Sequence, residues 1–373
     1  MFQALRRWLP PAWRKESRLT SQLEGTPPVS QDTMTAISQL SQVIKNNQDS
    51  VETYMALGNL YRAQGDIENA ITVRQSLIVR PNLKPEFKAR ALYELGIDYK
   101  RGGFLGRAQN AFERAKELIG DDAAIIDELA SLAAAEHDYQ LSAQYYAQLS
   151  KPIHQAHFLV QQAKQDLKNK KSGKGSTWLN KALRVYPGSV EAWLEKMIRA
   201  YDLADWKGLA DTFDKGLNRV EPHIRFILLE GLIQHLFQGR TGQEIFTPLL
   251  NQEAGHEVIK VLKKQPADIV LSYYGAWILL QLGSLDQAAK WLDQCIQLDA
   301  EFWPARLELL SLNMDHQDVN DEFKEQMIFF LKRARQIKKF ICTRCGLKRE
   351  HLFFVCPRCR SWHTISFLKV LGN

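Results

Sequence analysis

The chain has 373 residues, 45% of them hydrophobic and 24% charged, with a formal net charge of +7. That is room for two or three domains of ordinary soluble composition, and it argues against a disordered or fibrous chain. No stretch approaches the roughly 18 consecutive apolar residues of a membrane-spanning helix, so none is expected.

The charge is uneven. Residues 1–18 hold five Lys or Arg against Glu16, and residues 332–373 hold eleven against Glu350, which leaves about −7 for the body between. Basic ends on an acidic body point the ends at an anionic surface, membrane or nucleic acid. Locally, the C-terminal cations can instead offset metal-bound thiolates. Residues 1–32 read as a basic N-terminal tail and linker. Phe2, Leu5, Trp8, Leu9 and Trp13 mix with Arg6, Arg7, Arg14 and Lys15. That mixture fits a short interfacial anchor making peripheral membrane contact, or a disordered basic tail. It lacks the apolar core of a signal peptide. Gly25, Pro27 and Pro28 mark the linker.

Residues 33–339 are helical and repetitive. The clearest unit is Tyr54-x2-Leu57-Gly58-x2-Tyr61, then Gly65-Asp66, Ala70 and Pro81. The next has Leu95-Gly96-x2-Tyr99, Gly103, Ala108, Phe112 and Ala115. These follow the 34-residue helix-turn-helix pattern of tetratricopeptide repeats. Leu57 and Tyr61 share one helix face, and Gly58 and Ala70 are small where paired helices meet. Weaker units pass through His137-Asp138-Tyr139, Trp178-Leu179, Asp205-Trp206 and Gly283-Ser284. The expected fold is all-α, with seven or eight helix pairs stacked as a superhelix because no single pair can bury its apolar face.

Residues 340–373 form a separate small module. Cys342-x2-Cys345-Gly346 and Cys356-Pro357-x-Cys359 are separated by ten residues. Two C-x2-C turns bring four thiolates to one tetrahedral ion, and Gly346 permits the left-handed turn such a knuckle needs. One zinc or iron ion fits that ligand set. The four-cysteine shell is complete without His351 or His363. A closed shell is structural, and some thirty residues need it to fold.

Other features read as structural. Gly173-Lys174-Gly175-Ser176-Thr177 lacks the spacing of a phosphate loop and reads as a loosened turn between helices. His154 and His157 share a helix face without an evident carboxylate partner. The tryptophans at repeat spacing read as packing, and Cys295 as a buried small residue. No nucleophile–base arrangement emerges, and an enzyme is not expected.

A repeat array running into Cys342-x2-Cys345-Gly346, Phe353-Phe354-x-Cys356-Pro357-x-Cys359 and Ser361-Trp362-His363-Thr364-Ile365 resembles the lipopolysaccharide assembly protein B family. The resemblance spans about residues 33–370. It implies a rubredoxin-like module packed on the repeats, with Cys342, Cys345, Cys356 and Cys359 as its metal ligands. It implies a non-enzymatic adaptor on the cytoplasmic face of the inner membrane. Such an adaptor regulates lipopolysaccharide biosynthesis by bringing a client, the lipid A pathway deacetylase, to a membrane AAA+ protease. The family typically starts with a transmembrane helix that this sequence does not show, so a peripheral or cytoplasmic location is expected. By the same resemblance, the inner helix faces that receive protein clients include Asn59, Arg62, Arg90, Lys100 and Arg101, of which Arg90, Lys100 and Arg101 favour an acidic segment.

Two alternatives act through the module. In nucleic-acid binding, Arg344, Lys348, Arg349, Arg358 and Arg360 would hold phosphates while Phe353, Phe354 and Trp362 stack on bases. In electron transfer, the site would carry iron. The aromatics need cover, so the module is expected to fold back onto the last repeat helices near Phe329, Phe330 and Ile337 and not to hang as a free tail. The last helix is then expected to run almost into Cys342.

Overall fold

A computed structural model describes residues 31–46, 51–169, 172–237, 250–316, 320–334, 337 and 339–369. The residues of the expected interfacial anchor lie outside these. Among the described residues, α1 (Gln31–Asn46) precedes eight helix pairs. The first three pairs are α2 (Val51–Gln64) with α3 (Ile67–Ile78), α4 (Pro85–Arg101) with α5 (Leu105–Ile119), and α6 (Ala123–Ala135) with α7 (Tyr139–Gln148). Next come α8 (Pro152–Lys168) with α9 (Ser172–Val185), and α10 (Val190–Asp202) with α11 (Trp206–Arg219). The last three are α12 (Phe226–Phe237) with α13 (Gln252–Leu262), α14 (Ile269–Gln281) with α15 (Leu285–Leu298), and α16 (Trp303–His316) with α17 (Asp321–Ala334). The fold is the all-α repeat array that the periodicity predicts. It divides into two compact units between Leu132 and Ala133.

One turn recurs inside the pairs. A residue in the left-handed region is followed by the N-cap of the second helix. Gly65 (φ 84°) precedes Asp66, whose carboxylate accepts from the Asn69 amide at 3.2 Å. Ala204 (φ 54°) precedes Asp205, which accepts from the Gly208 amide at 2.9 Å. An L-residue there costs roughly 1–2 kcal/mol. The cap contributes about 1 kcal/mol toward offsetting it. Close approach explains the helical glycine of the repeat signature: a Cβ on Gly96 would stand 2.6 Å from the Phe112 ring of the paired helix.

In the first unit, buried charge cross-links successive pairs. Arg74 of α3 is fully buried and donates to Asp98 of α4 at 2.5 Å and to the Asn59 side chain of α2 at 2.7 Å. Arg62 pairs with Asp98 at 2.5 Å and also with Glu94.

In the second unit, Gly173 to Thr177 lie within the first turns of α9 and do not form the expected loosened turn. The Thr177 hydroxyl donates to the Gly173 carbonyl at 3.1 Å. Gly175 is small because a Cβ there would stand 2.6 Å from Leu167 of α8. After α17 come β1 (Phe340–Cys342), β2 (Lys348–Arg349) and β3 (Ile365–Phe367), an antiparallel sheet in the order β2-β1-β3. Phe340 pairs with Arg349 on one side and Phe367 on the other.

The module docks, but not where the sequence suggests. Phe340, Cys342, Phe353, Cys356, Ile365 and Phe367 belong to the same continuous core as helix residues from Val190 to Ala305. Phe329 and Phe330 are 61% and 60% exposed and do not cover the module. Among the described residues helix α17 ends at Ala334, and most of the linker to β1 lies outside them. The module instead rests on the first helices of several pairs. That face offers it the rings of Phe226, Tyr273 and Tyr274.

Candidate metal centre and its seat on the repeats

Two knuckles with the same hydrogen bonding present the four cysteines. In the first, the Gly346 amide donates to the Cys342 carbonyl at 2.9 Å, and the Cys342 amide donates to the Leu347 carbonyl at 2.9 Å. In the second, the Arg360 amide donates to the Cys356 carbonyl at 2.8 Å, and the Cys356 amide donates to the Ser361 carbonyl at 2.9 Å. Gly346 and Arg360 occupy equivalent left-handed positions, φ 71° and 56°. Sequence reasoning anticipates the first from glycine's freedom and misses the second, since arginine carries no such signal.

The four sulfurs lie within 4.8 Å of one another. Cys342 Sγ is 3.7 Å from Cys359 Sγ, and Cys345 Sγ is 3.6 Å from Cys356 Sγ. Tetrahedral metal–sulfur bonds of about 2.3 Å require sulfurs about 3.8 Å apart. The cluster therefore has the dimensions of a metal cage, and all four cysteines are free thiols. Their ionisation is conflicted. Burial opposes it at Cys342, but Thr364 and nearby backbone amides bring that thiol down to about 6. At Cys345 a backbone hydrogen bond from Leu347 lowers the thiol, yet burial and the neighbouring sulfurs push it up to about 12. Four thiolates this close repel one another unless a cation sits among them. The donor set thus fits a metal ion.

His363 is aimed elsewhere. Its Nε2 stands 3.9 Å from the carboxylate of Glu191 on α10, and Glu191 also holds His157 Nδ1 of α8 at 2.8 Å. Glu191 is only 2% exposed. Burial pushes its carboxyl up, but the two imidazoles outweigh that and hold it down at about 2. Trp362 lies beside this cluster, with ring centroids 4.2 Å from His154 and 4.9 Å from His157. The two histidines that look unpartnered on one helix face are thus the module's seat. The signal was present in the spacing His154-x2-His157, but the carboxylate lies 34 residues beyond His157.

The other edge of the module is fastened by rings and one hydrogen bond. Phe340 stacks on Phe226 at 5.8 Å, and Phe367 meets Phe302 at 5.9 Å. Trp303 Nε1 donates to the Leu368 carbonyl at 3.0 Å. His351 is exposed. Cys295 is fully buried, donates to the Ile269 carbonyl at 3.4 Å, and is pushed up to about 12 by burial, as a packing thiol should be.

Of the five expected client-facing residues, Asn59 accepts from Arg74 and Arg62 pairs with Glu94 and Asp98. Lys100 holds Glu128 at 2.7 Å and the Ser131 hydroxyl at 2.8 Å. Arg90 and Arg101 are exposed. All five lie in the first unit.

A family model for the tetratricopeptide repeat matches residues 51–73 and 276–302. Over 358 residues the chain is 24% identical to lipopolysaccharide assembly protein B of Escherichia coli strain K12, covering 91% of this chain and 86% of that protein. The protein of the same name from Haemophilus influenzae is 24% identical over 338 residues, covering 84% of this chain and 78% of that one. Among solved structures, a tetratricopeptide repeat protein from Parabacteroides merdae aligns with TM-score 0.35 and 15% identity, covering 76% of this chain and 98% of that chain. The C-terminal part of a repeat protein from Cytophaga hutchinsonii aligns with TM-score 0.36 and 13% identity, covering 74% and 93%. The resemblance to lipopolysaccharide assembly protein B therefore extends along most of the chain. Among the described residues no helix is long and apolar enough to cross a membrane.

Proposed function

We propose that this chain is an adaptor that regulates lipopolysaccharide assembly, with its repeats as the protein-holding surface and its C-terminal module as a metal-dependent clasp. One observation carries the reading: the four-cysteine module is built into the core of the repeats, in a chain similar over 91% of its length to lipopolysaccharide assembly protein B. A zinc or iron ion held by Cys342, Cys345, Cys356 and Cys359 would fasten the two knuckles and supply folding free energy to a module too small to fold alone. The finer reading is that the adaptor brings a lipid A pathway deacetylase to a membrane AAA+ protease at the cytoplasmic face of the inner membrane. Of the five expected client-facing residues, Arg90 and Arg101 are exposed and would meet an acidic client segment. Arg62 and Lys100 already serve neighbouring acids.

The nucleic-acid alternative loses its stacking platform. Phe353 is buried and Trp362 is packed among His154, His157 and Phe158. Arg344 donates to the Ser361 hydroxyl at 2.8 Å. The test is capture of the tagged full chain from native membranes, with mass spectrometry of what accompanies it and metal analysis of the same sample. A protease and a lipid A pathway enzyme are expected, lost in an Arg90→Glu/Arg101→Glu variant. Nucleic acid as the sole companion would overturn the reading.

A further inference from the structure

Between the first helices of three consecutive pairs, α12, α14 and α16, lies a cavity of about 490 Å³. Five aromatic rings stand in its walls beside aliphatic and polar side chains: Phe237, Tyr273, Tyr274, Trp277 and Trp303. Two acids also line it: Glu308, which has a partner of its own, and the buried Glu230. The Glu230 carboxylate is 7% exposed, accepts from the Tyr274 hydroxyl at 2.7 Å, and accepts from the Gln234 amide at 2.8 Å. Both partners are neutral. Among the described residues no cation comes within ion-pair distance of it; Lys339 borders the same cavity without pairing to it.

A buried carboxylate without a cation is expensive unless something compensates it. Two hydrogen bonds satisfy part of its acceptor capacity and leave lone pairs. Indole and phenol faces around it attract positive charge through their quadrupoles. Aromatic walls with an acid among them select an organic cation: its alkyl stem lies along the rings and its charged head meets the acid. The space is several times that of one lysine or arginine side chain, leaving room for the backbone that presents it.

We infer that the Glu230 cavity is a binding site for a lysine or arginine side chain presented by a partner polypeptide. The cation chemistry stands on the cavity alone; only its source, a protein partner, rests on the adaptor reading. It differs from the client expectation for Arg90 and Arg101, which calls for acidic segments. Here the recognised segment is basic, and the site belongs to the second unit.

The test uses the metal-loaded full chain and blocked tripeptides, acetyl-Ala-X-Ala-amide with X lysine, arginine or norleucine. Binding is read by tryptophan fluorescence and calorimetry. The lysine or arginine peptide should bind saturably, and the norleucine peptide at least tenfold more weakly. Glu230→Gln keeps an acceptor for Tyr274 and should weaken the cationic peptides at least tenfold, with norleucine binding unchanged. Trp277→Leu should weaken them about threefold, the loss of one cation–π contact. Helical circular dichroism and metal content of each variant should match wild type. A variant that fails this control is replaced by charge reversal in the ligand, with acetyl-Ala-Glu-Ala-amide expected not to bind. The inference is overturned if neither cationic peptide binds, if norleucine binds equally, or if Glu230→Gln leaves affinity unchanged. Tighter binding of 1,5-diaminopentane than of the lysine peptide would overturn the polypeptide source. Failure to capture a client from membranes, with peptide binding intact, would count against the adaptor reading alone.

Discussion

Replacing Glu191 with Gln removes one charge and little volume from the seat of the module. The magnitude follows from the carboxyl's position, held at about 2 against an ordinary 4.5. That position already includes the opposing cost of burial. The folded chain therefore prefers the ionised form over the neutral form by about 2.5 pH units, or about 3 kcal/mol. Glutamine imitates the neutral form. The sign is that of a depressed acid: the stabilisation is present above the ordinary carboxylate range and is lost as pH falls from about 4.5 toward about 2. The assay is urea unfolding of metal-loaded protein followed by tryptophan fluorescence. At pH 5.5 the carboxylate is ionised. There Glu191→Gln should be less stable by about 3 kcal/mol, and the gap should shrink to about 1 kcal/mol by pH 2.5. Metal content is measured at each pH, and only the range over which it is unchanged enters the comparison. A gap under 1 kcal/mol at pH 5.5, or one that persists unchanged to pH 2.5, would refute the reasoning.

Cys356→Ser should drop metal content from one ion per chain to none while the helical circular dichroism persists, measured by elemental analysis on matched samples. Trp362→Ala, at a half-buried site among His154, His157 and Phe158, should cost about 2–3 kcal/mol, somewhat below the range for a fully buried ring. Amide exchange across residues 340–369 should rise while the metal stays bound. In the first unit, Asp98→Ala leaves Arg74 buried without its main carboxylate and should cost about 3–5 kcal/mol. Adding Arg74→Met should recover most of that loss in thermal melts.

The cysteine cluster was legible because its information is local: two residues separate the members of each cysteine pair, and the knuckle turn follows from backbone geometry. The repeats were legible because the same small and large residues return at one period. What escaped was pairing at a distance. Arg62 looks like a free groove cation until Glu94 is noticed 32 residues on, close to one repeat length. Scanning each cation against acids one period ahead would have found it, and Lys100 with Glu128 as well, 28 residues apart. The position of the module escaped for another reason. Its aromatics announce that they need cover, but periodicity marks a helix face as apolar without saying which of several such faces is filled. Phe329 and Phe330 carried the right composition and stayed in solvent.

Stacked repeats ordinarily interact only with their neighbours, so such arrays tend to fray from an end, one pair at a time. The C-terminal module alters that rule for the second unit. Trp362 touches α8, Phe340 touches the start of α12, and Phe367 reaches α14 and Phe302 just before α16. Pairs that share no interface with one another thus share a common strut, and loosening one loosens the grip on all. The second unit should therefore melt as one body, not by successive unzipping. During synthesis its helices emerge before residues 340–369, so the strut that makes them cooperative arrives after every pair it joins. Until those residues have emerged and folded, the faces of α8, α12 and α14 that the module covers stay open.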